Sequence, residues 1–429
     1  MKKTRILLLV IGLLLVSAQA YAHTDTQIDP TRFPSSSNGI MVFNDQINVH
    51  YLTDAQAEFA ATHYAGTQKL TLEGAQRLRA YNPYFVVLHY RLGLGLGHST
   101  PNADCQPSSE FIHIISGDWV QEWPGDEALP EDWFYHYDGQ RVFQCDWGWY
   151  LMDTDNPDYR AWWMEQVLDQ LALNENDGLF ADSVNVPNGL GADRWRPVLP
   201  ELDEAWEADW SRRIEDWMTW TREQFGGQYT LIVNAGGWIT TRDQTDYSLA
   251  DGVMIEAFAG WGEYSRFEVF DWALQMDRIL SLVNQDRIVI LQNYVGEPSE
   301  RLWMLANYLL VKGNYTYINL EVSDGAEWFP EYDLPIGEAL TLVPTTIEDL
   351  RLENGLYSRS YRNARVFVNP DPNGAPITML LEEPQYLVTE VIGGGEIPED
   401  ADMSAWSVVT SEIDEVTVEP GQAVILLGG

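Results

Sequence analysis

The sequence predicts an α/β protein, a (β/α)8 barrel followed by a small C-terminal antiparallel β-sandwich. Three observations predict it. Eight short apolar runs, separated mostly by helical spacers, end near residue 320. Each run closes on a polar residue at the same end, although a buried parallel strand has no structural need for one there. Beyond about residue 344 the helical spacers stop, and short β runs alternate with Gly, Pro and Asn turns.

The first residues read as a secretory signal over 1–22. Lys2, Lys3 and Arg5 form a basic region, Ile6 to Val16 an apolar region too short for a typical membrane span, and Ala20-Tyr21-Ala22 a cleavage site. The expected mature chain starts at His23 and is secreted or periplasmic, with a barrel over 23–343 and a sandwich over 344–429. In that oxidising compartment Cys105 and Cys145 suit one disulfide, the alternative being two buried thiols.

Ile40 to Phe43 is the first strand candidate, ending in Asn44-Asp45-Gln46. Thr53 is a suitable cap for a helix over Ala55 to His63. Tyr64 to Gln68 forms a short second strand, and a helix over Leu72 to Tyr81 stops at Asn82-Pro83. Tyr84 to Arg91 is the clearest strand of this half. The alternating Gly93, Gly95 and Gly97 fail dinucleotide-loop spacing because position 98 is His, so they read as a flexible loop near the site. Residues 98–150 form a long irregular stretch rich in Trp and Tyr, among them Trp119, Trp123, Trp147 and Trp149. Long loops over a barrel mouth are usually functional, and flat aromatic faces suit stacking on sugar rings; for any single Trp the alternative is packing of the loop on the barrel.

Asp153 to Pro157 reads as a helix start, with the helix running from Asp158 to Leu173. It feeds Asp177-Gly178-Leu179-Phe180-Ala181-Asp182-Ser183, a turn followed by an apolar run that delivers one carboxylate at its far end. An outer helix over 201–225 precedes the strands Tyr229 to Asn234 and Gly252 to Glu256; Arg287 to Asn293 and Tyr315 to Asn319 complete the eight.

The formal net charge of −40 repels nucleic acid, polyanionic polysaccharides and anionic lipid headgroups, which favours a neutral carbohydrate. The polar ring closing the strands, Asp45, Gln68, His89, Arg91, Asn234, Asn293 and Asn319, is the expected hydroxyl-binding set, with Trp149 and Trp261 as aromatic walls. Asp182 after the fourth strand and Glu256 after the sixth are the type of pair that glycosidic hydrolysis requires: one group attacks, the other protonates the departing oxygen. Glu256 is flanked by Ile255, Ala257 and Phe258, which favour a raised pKa, so the assignment is Asp182 as nucleophile and Glu256 as general acid/base. The structural alternatives are that Asp182 caps a loop and that Glu256 pairs with Arg91. No Ser stands in a G-x-S-x-G elbow, and His89, His98 and His113 lack zinc-site spacing, so neither a triad nor a metal or other cofactor is expected. The sequence leaves the oligomeric state open.

The runs Asn82 to Arg91, Leu151-Met152-Asp153 to Asn156-Pro157, and Gly178 to Asp182 resemble the hypothetical glycosyl hydrolases numbered family fifteen, relatives of the α-galactosidase-type barrels. That resemblance implies carboxylates after strands four and six, which by position are Asp182 and Glu256. The sequence departs from α-galactosidases in having Glu after strand six and in lacking their substrate-reading motif, which leaves the sugar and its anomeric configuration open. The competing functional reading is a non-catalytic, exported carbohydrate-binding or surface protein on a barrel scaffold.

Overall fold

Fully buried parallel strands carry apolar residues on both faces, and all eight predicted runs form such strands in the computed structural model. It describes residues 32–97, 101–105, 114–116, 119–121, 129–321, 323 and 325–428. The expected signal segment, His98, His113, Trp123 and the Trp119 side chain lie outside the described residues. The strands are β1 (Val42–Phe43), β2 (Tyr64–Gln68), β3 (Val86–Leu92), β4 (Gly178–Asp182), β5 (Thr230–Asn234), β6 (Gly252–Glu256), β7 (Ile288–Gln292) and β8 (Thr316–Asn319). They pair in chain order, all parallel, and β8 closes the ring on β1 through Val42 and Ile318.

Six α-helices cover the ring among the described residues: α1 (Asp54–His63), α2 (Leu72–Arg79), α3 (Pro157–Leu173), α4 (Glu204–Phe225), α5 (Val269–Val283) and α6 (Pro298–Val311). Their starts follow local chemistry. Thr53 caps α1 in a reciprocal box with Gln56, and Asn156 accepts from the backbone N–H groups of Asp158 and Tyr159 just ahead of α3. Between β5 and β6 the chain makes only a 3-10 turn, Tyr247–Leu249, and Trp238 packs edge-on against Tyr247 at 4.9 Å.

Strand pleating sorts side chains into two cores. Phe43, Ala65, Val86, Leu88, Phe180, Ile232, Met254, Ile290 and Tyr317 point into the barrel, and Phe33 packs onto Phe43 and Tyr317 in the same cluster. Their neighbours of opposite parity, such as Val87, Leu179, Val233, Ile255 and Leu291, point out to the helices.

The antiparallel region expected after the barrel is one five-stranded sheet, β9 (Tyr357–Ser360), β10 (Ala364–Asn369), β11 (Ile377–Ile392), β12 (Ser407–Val418) and β13 (Gln422–Leu427), ordered β9-β10-β13-β11-β12. Register shifts interrupt the long β11–β12 hairpin, and Ile377, Met379, Val416 and Val418 share an apolar cluster with Leu356, Phe367 and Leu426. The expected sandwich is therefore connected as a single sheet. It is tied to the end of α6 by Arg359, whose Nη1 donates to the Leu310 and Lys312 carbonyls at 3.0 and 2.7 Å. A cation there satisfies helix-terminal carbonyls and complements the helix dipole.

Cys105 and Cys145 form the disulfide expected of them. It anchors the excursion between β3 and α3, whose strands over residues 95–96, 143–144 and 150–151 form a four-stranded sheet with residues 195–196 from the loop after β4. Gly95 is therefore in a strand rather than a flexible loop. A Cβ there would lie 2.3 Å from the Trp149 ring, so only glycine lets that indole settle against the backbone.

Candidate active site

Pleat parity decides which strand-end residues reach the mouth. Asp182 shares the phase of Phe180, Glu256 that of Met254, Asn234 that of Ile232, Asp45 that of Phe43 and Asn319 that of Tyr317, so all five face inward. Asp45, Asp182, Asn234 and Glu256 line one cavity of about 360 Å³, and Asn319 lines a smaller one that also borders Asp45.

His89, Arg91, Gln68 and Asn293 have the opposite phase and line neither cavity, contrary to the hydroxyl-binding role expected of them. His89 is buried beside Arg91, and burial first, then that cation, lower its pKa to about 3. Arg91 stacks 6.0 Å from the Trp162 ring of α3. Gln68 donates to Asp45, and Asn293 donates to the Phe258 and Gly260 carbonyls at 2.8 and 2.9 Å, so both shape the rim from behind. Trp149 lines the main cavity while largely buried against Trp195, and Trp261 lines an adjoining one.

The two carboxylates meet through one side chain. Asn234 Nδ2 donates to Asp182 Oδ1 and to Glu256 Oε2, each at 2.8 Å. The two oxygens therefore lie no more than twice 2.8 Å, or 5.6 Å, apart. Asp182 also accepts from the Tyr90 hydroxyl at 2.6 Å and from the Ser183 backbone at 2.7 Å. Glu256 accepts from Tyr294 at 3.2 Å, and Gln292 in turn donates to Tyr294. Directly after the ends of β4 and β6, Ser183 and Ala257 take positive φ of 57° and 61°, so the chain leaves each strand abruptly behind its carboxylate. Left-handed non-glycine residues are uncommon and gather at functional sites.

Burial, then the charge of Asp182, raise the Glu256 pKa, while the Asn234 and Tyr294 donors oppose the rise. Tyr90 is raised well above its ordinary value, by burial first and the Asp182 charge second, and so stays a hydrogen-bond donor. Lys69 Nζ lies 3.1 Å from Asp45 and 5.0 Å from the centre of the Tyr90 ring. Tyr90, Tyr294, Lys69 and Gln292 line the main cavity without having been singled out from the sequence, and Trp147, from the aromatic loop expected over the mouth, lines it as well. Tyr90 has the inward phase of Leu88 that His89 and Arg91 lack, but the unbroken apolar run around it gave the sequence no mark of which phase faces inward. Among the described residues no group of three or more His, Cys, Asp or Glu is placed to hold a metal.

A closed (β/α)8 barrel with a bridged carboxylate pair at the carboxyl ends of its strands defines the class: a barrel protein with its polar cavity at the end of the strands where barrels of this kind place their sites. Residues 79–365 match hypothetical glycosyl hydrolase family 15, and the chain belongs to that family. No curated protein matches it in sequence. Similar solved structures include a noncanonic maltogenic α-amylase from Thermotoga neapolitana, at 10% identity and TM-score 0.42, covering 91% of this chain and 98% of that one. A GH31 family sulfoquinovosidase from E. rectale has 10% identity and TM-score 0.44, over 92% and 63% of the two chains. A cycloisomaltooligosaccharide glucanotransferase from Paenibacillus sp. has 12% identity and TM-score 0.36, over 94% and 56%. The chain thus spans little more than half of that last protein.

Proposed function

We propose that the protein is an exported glycoside hydrolase that cleaves a neutral oligo- or polysaccharide with retention of anomeric configuration. Asp182 attacks the anomeric carbon as Glu256 protonates the departing glycosidic oxygen, and the C–O bond to the leaving sugar breaks. Glu256, now a carboxylate, then takes a proton from water, whose oxygen displaces Asp182 from the glycosyl ester and frees the sugar. The observation that carries this reading is the shared Asn234 donor. It brings one oxygen of each carboxyl group to within 5.6 Å of the other, which favours the close spacing of retaining pairs, about 5 to 5.5 Å between the groups, over the about 6.5 to 9.5 Å of inverting ones. The same closeness argues against a merely binding scaffold. The raised pKa of Glu256 suits an acid and the three donors on Asp182 suit an attacking anion. Export is supported by the N-terminal signal pattern and by the disulfide.

The test is hydrolysis of a panel of α- and β-linked neutral glycans with NMR of the first-formed product. A retained anomer is expected, along with a loss of turnover above about 10³-fold in Asp182→Asn. An inverted product, or turnover that survives in Asp182→Asn, overturns the assignment.

A further inference from the structure

The main cavity shares wall residues with two others. Trp147 and Asn185, which line it, also line a second cavity of about 360 Å³ toward the ends of β4 to β6, where Trp238 and Trp261 add to the wall. Trp147 and Trp261 are each 62% exposed, whereas Trp163, Trp195, Trp210, Trp217, Trp272 and Trp303 are fully buried. Two large indoles left open at a cavity wall are outside the core and offer flat faces to a ligand. Phe267 holds Trp261 edge-on at 5.2 Å, and Gln144 accepts from the Trp147 backbone N–H at 2.6 Å, so both are positioned without being covered.

On the opposite side, Asp45, Lys69 and Tyr294 are shared with a polar cavity of about 260 Å³ that reaches Asn319 and Glu321. Both of these side chains are buried, yet Asn319 Oδ1 and Glu321 Oε1 accept no hydrogen bond. Buried acceptors without partners are costly, and a ligand rich in donors removes the cost.

We propose that the three cavities are consecutive subsites for one glycan chain. The Asp182–Glu256 pair lies at the middle subsite. Sugar rings stack on Trp147 and Trp261 on one side, and ring hydroxyls donate to Asn319 and Glu321 on the other. The enzyme consequently binds a chain across the barrel mouth and cuts it internally instead of trimming its ends. This inference rests on the hydrolase reading above.

The probes are malto-, isomalto-, cello- and β-1,3-gluco-oligosaccharides of two to seven units. Binding is followed by tryptophan fluorescence in Asp182→Asn, and products are followed in the wild type. Expected are affinity that strengthens with chain length, a change in indole emission, and internal fragments in the first turnovers. Trp261→Ala and Trp147→Ala raise KM for the longer chains about tenfold, equivalent to about 1.4 kcal/mol, with the loss falling on KM rather than kcat. Trp261→Phe, which keeps an aromatic face, restores most of it. Affinity indifferent to length, release of terminal units alone, or a KM unmoved in both alanine variants overturns the subsite inference and leaves the hydrolase reading standing. Failure of every glycan to bind or be cleaved overturns the hydrolase reading itself, and this inference with it.

Discussion

Asn234 is the side chain whose removal tests the catalytic geometry most directly. Its amide nitrogen donates to Asp182 and Glu256 at 2.8 Å each, and its Oδ1 accepts from the Gly236 backbone at 2.9 Å. Asn234→Ala leaves the two carboxyl oxygens facing each other with no donor between them. A hydrogen bond to a charged group is worth about 1.5 to 3 kcal/mol, and two unit charges at that spacing repel by about 3 kcal/mol at an effective dielectric of about 20. The Asn234 donor opposes the upward shift of Glu256, so its loss raises that pKa further. A general acid works while protonated, so the basic limb of the kcat/KM profile moves to higher pH, and with a hydrogen bond of that size lost kcat/KM at the optimum falls about 10- to 100-fold. The assay is a pH series on the glycan that the wild type cleaves fastest, with thermal unfolding to show that the variant is folded. A basic limb that stays in place or moves down refutes the reasoning.

Glu256→Gln removes the acid but not the nucleophile. Its kcat/KM, which reports the bond-breaking step, is expected to fall at least about 100-fold on sugars with poor alcohol leaving groups and far less on dinitrophenyl glycosides, whose departure needs no proton; equal losses of kcat/KM on both would take the acid role from Glu256. Lys312 tests the joint between barrel and sheet. Burial, then the nearby Arg359 charge, lower its pKa from 10.5 to about 7, so the unfolded chain binds a proton that the folded one does not between those values. Its contribution to stability is fully present above pH 10.5 and is lost as pH falls through 7. Urea unfolding at pH 7 and pH 10 should show stability rising with pH in the wild type and a flatter dependence in Lys312→Met; identical slopes would place the Lys312 amine in water.

The barrel was legible because parallel strands buried on both faces appear as unbroken apolar runs, and because Thr53 and Asn156-Pro157 announce their helices. The same property hid the phase. In Val86-Val87-Leu88-His89-Tyr90-Arg91 neither parity is polar enough to mark the barrel interior, so His89 and Arg91 read as cavity residues while Tyr90, between them, is the one that reaches Asp182. Asp182 and Glu256 ended runs whose phase was equally unmarked, and they stood out only because acids after strands four and six are what hydrolysis needs.

By itself the sequence determined the eight-stranded alternation and the two acids at strand ends, since each follows from local burial or residue chemistry, and it favoured the cysteine pairing that the structure closed. Only the tertiary structure decided which face each strand-end residue presents, that Asn234 joins the two acids, and that neighbouring cavities share wall residues at the mouth. Those depend on distances between residues far apart in the chain, fixed when the ring closes β8 against β1.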